Sequence, residues 1–213
     1  MNDLNSIARE MREHYQAVWQ RGDAWELESS DFEQGRYAYL LAKIGDRHYG
    51  RVLEIGCGSG CFTRLLAGIA ERVVAIDIAP AAIERARLRT AGAGPGTVEF
   101  RVANIMEYDP DTDEPWDLII LSETIYSLGW LYPFFNLGFL AGQLFAATRN
   151  GGRCLLANTF GKEKDWLLRP YLIYTYRDLL RNVGFRLENE EIYRGTKDGV
   201  AMEVLVSLFE KSA

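Results

Sequence analysis

Histidine and cysteine are scarce in this 213-residue chain, and clustered positive charge is missing altogether. The two histidines, His14 and His48, stand far apart, and Cys57 and Cys61 share a glycine-rich loop where small residues are needed, so no metal is expected. With Cys154 the cysteines number three, too few for a disulfide framework. No run of Lys and Arg occurs and the formal charge is −6, which argues against a surface made to neutralise phosphates; no nucleic-acid partner is expected. The opening MNDLNSIAREM has no apolar signal core, so the expected compartment is the cytoplasm. Repeats and low-complexity segments are lacking too. What remains is a chain of 48% hydrophobic and 25% charged residues, enough for one domain with a full-sized core.

Residues 3 to about 20 carry Leu4, Ile7, Met11, Tyr15, Val18 and Trp19 at spacings of three and four, one apolar stripe on a helix. After the loop DAWELESS (23–30), a second helix over 31–45 turns Tyr37, Leu40, Leu41 and Ile44 inward, with Gly45 as its cap. From Arg51 short apolar runs alternate with helical stretches: RVLEI (51–55), a helical stretch over 60–71, VVAID (73–77), a helix from Pro80 to about Thr90, TVEFRV (97–102), WDLIILS (116–122), a helix within 130–148, and GRCLLAN (152–158). Five strands joined by crossovers imply a parallel sheet with helices on both faces. After a helix around 174–183, the runs 185–194 and 201–211 flank the turn GTKDG and read as an antiparallel hairpin.

In such α/β sheets ligands bind beyond the carboxyl ends of the strands. The stretch VLEIGCGSG (52–60) puts Gly56, Gly58 and Gly60 at one of those ends, where a backbone without Cβ turns sharply and lets a ligand touch the main chain. The dinucleotide pattern G-x-G-x-x-G would place its third glycine at Cys61, and no Gly-Lys-Ser/Thr occurs for a P-loop. Glu54 beside the loop is a poor neighbour for a pyrophosphate and a good one for an ammonium group. A cationic ligand is expected.

VLEIGCGSG, the acidic Asp77 closing the next strand, WDLIILSE at the fourth, NGGRCLLAN at the fifth and the final hairpin together resemble the class I S-adenosylmethionine (SAM)-dependent methyltransferases. The resemblance implies a seven-stranded Rossmann-like methyltransferase sheet with five parallel strands and a C-terminal antiparallel hairpin, and SAM as cofactor with S-adenosylhomocysteine (SAH) as product. It implies that Asp77 accepts from the ribose hydroxyls, that Glu54 orients the loop or meets the methionine ammonium through water, and that Ser122 adds to the cofactor site. The adenine would lie near RVANIME (101–107), between Ile78 and Ile105. Asn104 stands where the family commonly has an aspartate, and its amide oxygen can accept the same hydrogen bond. Ile78 and Ile105 read equally well as ordinary core.

The run DAWELESSDFEQGRYAYLLA, followed by VLEIGCGSG and later by LSETIYSL, resembles the NodS family of nodulation-type N-methyltransferases. That likeness implies a helical lid over residues 1–50 on a SAM-binding core over 51–213, one domain overall. Trp25 would sit near the methionine end and Arg36 would pair its carboxylate, although Arg36 reads equally well as a helix-face cation.

An amine acceptor must arrive uncharged, so a neighbouring carboxylate or phenol helps remove its proton. Glu123 and Tyr126 at the fourth strand's end are candidates, with His14 and Tyr15 from the first helix; for Glu123 a structural capping role is the competing reading. The stretch 128–147 carries no charge at all. Pro133, Asn136, Gly138, Gly142 and Gln143 interrupt it, which speaks against a membrane span despite its length. Two readings stay open: it lines an apolar acceptor pocket, Trp130 included, or it is covered by another subunit in a homodimer. Trp166, Arg169, Tyr171, Tyr174 and Tyr176 form an aromatic set from the insertion after the fifth strand, read as acceptor contacts or as a brace for the lid. The expected function is methyl transfer to a small molecule, N-methylation of an amine such as an amino sugar or specialised metabolite ahead of O-methylation. A nicotinamide-dependent oxidoreductase and a non-catalytic SAM-binding subunit are the weaker alternatives.

Overall fold

The computed structural model describes residues 4–110, 114–161 and 166–212. Seven strands are ordered β3-β2-β1-β4-β5-β7-β6 in one mixed sheet, the arrangement expected from the alternation of apolar runs and helices. The chain divides into two compact units, residues 1–108 and 109–213.

The first unit opens with α1 (Leu4–Gln20) and α2 (Asp31–Ile44). The stripe on α1 buries Ile7, Met11 and Trp19, while Leu4, placed in it from spacing, is exposed where the helix begins. On α2 the buried face holds Phe32, Tyr37, Leu40 and Ile44, together with the charged Glu33 and Arg36. Three parallel strands follow, β1 (Tyr49–Ile55), β2 (Ala70–Asp77) and β3 (Thr97–Val102), in the registers Leu53↔Val74 and Ala75↔Phe100. Both faces of β1 and β2 are covered, so Val52, Leu53, Val73 and Ala75 are buried as a continuous run rather than in alternation. Each such aliphatic side chain contributes roughly 1.5–3 kcal/mol on burial. The crossovers are α3 (Cys61–Leu66) and α4 (Pro80–Thr90). Helix α3 has six residues, far less than the 60–71 span expected, because the chain turns at Ala67-Gly68 and β2 begins at Ala70.

In the second unit β4 (Trp116–Ser122) runs parallel to β5 (Thr148–Phe160), which pairs antiparallel with β7 (Val200–Glu210), itself paired with β6 (Arg186–Lys197). The hairpin turns at Asp198-Gly199, with φ of 53° and 74°, the left-handed pair that a two-residue turn requires. It is therefore tighter than the five-residue turn expected. The single helix expected within 130–148 is two, α5 (Ile125–Leu131) and α6 (Phe134–Ala147), because Pro133 cannot continue α5 and instead caps α6. Helix α7 (Pro170–Asn182) begins four residues before the expected start, with Pro at its first turn.

Candidate functional site

Each of the three glycines at the end of β1 has φ between 52° and 77°, so the loop is built on left-handed backbone that side chains resist. Their surroundings differ. Gly60 is packed on α4: a Cβ there would lie 2.9 Å from the Cβ of Ala86. At Gly58 the space of a Cβ belongs to Trp19, whose Cζ2 lies 2.9 Å away, with Leu27 next to it. Gly56 alone of the three is exposed. The main-chain approach expected of a ligand along the whole loop is thus open at Gly56, while the other two glycines serve packing.

Two carboxylates flank this turn. Glu54 is buried and accepts from Thr63 Oγ1 at 2.5 Å. Burial pushes its pKa from an ordinary 4.5 to about 8; the Thr63 hydrogen bond opposes the rise and the neighbouring Asp77 charge adds to it. Asp77 is half-buried at the tip of β2. Its Oδ2 accepts from Gly58 N at 3.0 Å and its Oδ1 from Ala79 N at 2.9 Å, so it fastens the glycine loop to the start of α4. Desolvation raises its pKa to about 6, against the lowering effect of the Ala79, Gly58 and Ile78 amides. Burial thus favours the protonated form of both carboxyls, and a nearby cation would favour the ionised form instead. Ile78 and Ile105 are buried, as is Asn104, whose Oδ1 accepts from Met106 N at 3.1 Å in an Asx-type turn.

The N-terminal helices sit directly against this loop. Trp19 packs on Ala79 and Ala82 with Tyr15 and Leu27 around it. Trp25, exposed on the connecting loop, touches Trp19 with ring centroids 5.2 Å apart and Tyr15 at 6.2 Å. Gln16 Oε1 accepts from Ala81 N at 2.9 Å. Arg89 of α4 donates from Nε to Ser59 O at 3.1 Å and pairs with Glu28, which joins the glycine loop to the 23–30 loop. His14 is exposed on α1. Arg36 is not a solvated cation: it is 3% exposed and its guanidinium meets Glu33 Oε2 at 2.9 and 2.7 Å. Its charge is thereby already paired, and it lies 4.7 Å from the centroid of Tyr37, which stacks on Phe62.

In the second unit, Glu123 follows β4 with φ of 56°, a left-handed conformation uncommon for a non-glycine residue. Its Oε1 accepts from Thr159 N at 2.8 Å and Thr159 Oγ1 at 3.0 Å, so the side chain ties the ends of β4 and β5 together. The N-cap position of α5 is Thr124, which makes no side-chain cap bond. Ser122 and Tyr126 are half-buried at the same strand end. The structure brings Trp130 and Trp166 together, edge to face at 5.9 Å, each with half or more of its surface exposed. Arg169 caps α7 through its backbone, and Tyr171 is exposed one residue beyond Pro170. Tyr174 contacts Phe160 and Arg177. Tyr176 is buried instead, with its hydroxyl in the space that a Cβ on Gly129 would take, so Gly129 is required for α7 to pass α5. Reading the sequence missed Trp19, Thr63, Arg89 and Thr159 as partners of the site; Trp19 at the end of an apolar helix stripe was the one with a visible signal.

Comparison with known proteins places this geometry. The family described as Nodulation protein S (NodS) matches residues 9–130, which run from α1 into α5 and include the Trp25 loop and the glycine turn. The chain belongs to the NodS family. It is 39% identical over 107 residues to the nodulation protein S of Bradyrhizobium diazoefficiens strain USDA 110, a match covering 50% of this chain and 49% of that protein. To the Rhizobium tropici protein it is 31% identical over 144 residues, covering 67% of this chain and 56% of that one. The chain thus spans about half the length of the curated NodS proteins it matches. In fold it is similar to the N-methyltransferase NodS of Bradyrhizobium japonicum WM9 in complex with SAH, with a TM-score of 0.78, 21% identity, and coverage of 95% of this chain and 99% of that one. The expected class I methyltransferase fold is what this likeness shows. No described helix of this NodS-family chain is long and apolar enough to cross a membrane, and no described group of His, Cys, Asp and Glu has a metal-binding arrangement.

Proposed function

We propose that this NodS-family chain is a cytoplasmic SAM-dependent methyltransferase that N-methylates an amine on a small molecule, an amino sugar or specialised metabolite. The observation that carries the reading is the carboxylate pair Glu54 and Asp77 beside the exposed Gly56, both with pKa raised by burial. SAM fits such a set: it brings an ammonium and two ribose hydroxyls, and supplies a methyl group on a sulfonium that leaves by in-line displacement. Asp77 accepts from the ribose, Glu54 balances the ammonium, and Asn104 with Ile78 and Ile105 receives the adenine. Residues 1–50 serve as a lid that excludes water, with Trp19 and Trp25 on the glycine loop. Arg36, paired with Glu33, supports the lid and reaches a ligand carboxylate only by sharing that pair.

On the acceptor side Glu123 is held in one orientation by Thr159, as a group that must meet a proton at a fixed point has to be. It takes the proton of the acceptor amine, with Tyr126 beside it and the Trp130–Trp166 pair as an apolar wall. The first experiment is calorimetric titration of SAH with NAD as control, followed by turnover assays of amines, amino sugars and phenols with SAM. SAH binding without NAD binding and methylation of amines over phenols is expected. NAD binding, or transfer to phenols alone, refutes the reading.

A further inference from the structure

Three arginines line one cleft of the first unit: Arg64 from α3, and Arg85 and Arg89 from α4, with Glu28 and Leu88 completing a volume of about 380 Å³. The fold assembles this set from two helices in a chain whose net charge is −6, so it does not follow from a generally basic surface. Arg85 and Arg89 stand four residues apart on one side of α4, where like charges work against a helix. Arg89 is balanced: it pairs with Glu28, donates to Ser59 O, and feels the Asp23 charge as well. Asp23 in turn accepts from Glu28 N through Oδ2. Arg64 and Arg85 have no carboxylate partner among the described residues. A cation in the last turn of α3 suits the helix dipole, which gives Arg64 a structural reason; Arg85, in the middle of α4, has none of that kind.

We propose that this cleft binds the phosphate group of a small soluble phosphate ester. Guanidinium forks match phosphate oxygens in pairs of parallel hydrogen bonds. A phosphate monoester carries a charge of about −1.5 to −2 at neutral pH, which balances Arg64 and Arg85 together, whereas a carboxylate balances one of them. The volume lies at the small end of ligand clefts, roughly 300–1,000 Å³, and exceeds what a bare phosphate fills. Leu88, 82% exposed at the rim, gives the organic part of the ester an apolar contact. A nucleic acid is the poorer occupant, because it is held by many cations along its backbone and this cleft offers three.

Side-chain ¹H–¹⁵N NMR of the arginines tests this, with phenyl phosphate, inorganic phosphate and benzoate titrated near neutral pH at constant ionic strength. Saturable shifts of the Arg64 and Arg85 Nε–H signals by both phosphates are expected, with benzoate at least about tenfold weaker. The double variant Arg64→Gln/Arg85→Gln should bind phenyl phosphate at least about tenfold more weakly with unchanged circular dichroism. Leu88→Glu, a change at an exposed helical position, sets a carboxylate at the rim and should weaken binding likewise, which guards against a folding defect in the double variant. Absence of saturable shifts, binding that survives both variants, benzoate binding as tight as that of phenyl phosphate, or attachment to phosphatidic acid vesicles without binding of either soluble phosphate would each overturn the proposal.

Discussion

Replacing Glu54 with glutamine should stabilise the ligand-free protein above neutral pH while weakening its grip on SAH. Glu54 is 4% exposed and its pKa stands near 8 instead of 4.5. Ionising it in place therefore costs on the order of 5 kcal/mol. The sign follows from proton binding. Between about 4.5 and 8 the native state holds a proton at Glu54 that the unfolded chain has released, so stability is fully present below 4.5 and falls as pH rises through 8. A glutamine side chain keeps an acceptor for Thr63 Oγ1 and has no charge to expose, so the variant escapes that fall. Asp77, near 6, titrates in both proteins and contributes its own decline from about 3.8 to 6. Burial and the same two carboxylates push the Cys57 thiol up as well, which keeps it neutral throughout.

Thermal unfolding of the ligand-free proteins at pH 5.5 and 8.5 is the assay. The variant should gain several kcal/mol at the higher pH and little at the lower, a difference of about 10 °C in Tm for a domain of this size. SAH affinity measured by calorimetry at pH 8.5 should drop roughly tenfold or more, since a hydrogen bond or ion contact to a charged group contributes about 1.5–3 kcal/mol. In the wild type, SAH binding near neutral pH should release a proton, visible as a dependence of the heat on buffer ionisation. If the two proteins shared one Tm profile, or if the Glu54→Gln variant bound SAH as well as the wild type does, the carboxylate would not be the charged group that the proposed site requires.

Gly60→Ala forces a Cβ to 2.9 Å from Ala86 at φ 77°, so the stability read from urea unfolding should fall by about 2–3 kcal/mol, and a neutral result would mean the loop relaxes freely. Asp77→Asn keeps one acceptor but cannot satisfy both the Gly58 and Ala79 amides; SAH affinity should fall at least about tenfold, and unchanged affinity would remove Asp77 from the site. Glu123→Gln retains an oxygen for Thr159, so stability should shift by less than about 1 kcal/mol and SAH binding not at all, while turnover drops by about 10²-fold or more; full turnover would exclude it as the base.

What the sequence showed was set by short-range chemistry. Strands β3 and β4 were legible to the residue because Thr97 and Trp116 follow turn-like or polar segments and the runs behind them are uninterrupted. Gly56, Gly58 and Gly60 marked the loop, and Asp77 the neighbouring strand tip, because spacing along α/β units is itself the signal. Long-range pairing was not legible. Whether Gly58 meets a ligand or Trp19, and whether Glu123 caps a helix or ties β5 through Thr159, both depend on which elements fold against each other. A composition of 128–147 without charge predicted that both sides of the helix need covering; the structure covers one side with the chain's own Leu137, Leu140 and Leu144. Pro133 was counted against a membrane span and not as the point where one helix becomes two.

These observations bear on how the fold tolerates its own site. Glu54 and Asp77 lie near the ends of β1 and β2, beside Val52, Leu53, Ile55, Val73, Val74, Ala75 and Ile76, which are among the most buried residues in the first unit. The Thr63 hydroxyl needs an acceptor at position 54, but a neutral amide would serve it as well as a carboxylate does. The thermodynamic cost of the pair falls at neutral to alkaline pH, the range in which an ammonium ligand has most to gain from ionised carboxylates. A ligand that binds the native state alone returns that stability through its own affinity. Binding and folding are then coupled through one proton inventory: SAH should raise Tm more at pH 8.5 than at pH 5.5 in the wild type, and in Glu54→Gln that difference should shrink to the part that Asp77 contributes. That contrast separates a carboxylate poised for a cation from one stranded by packing.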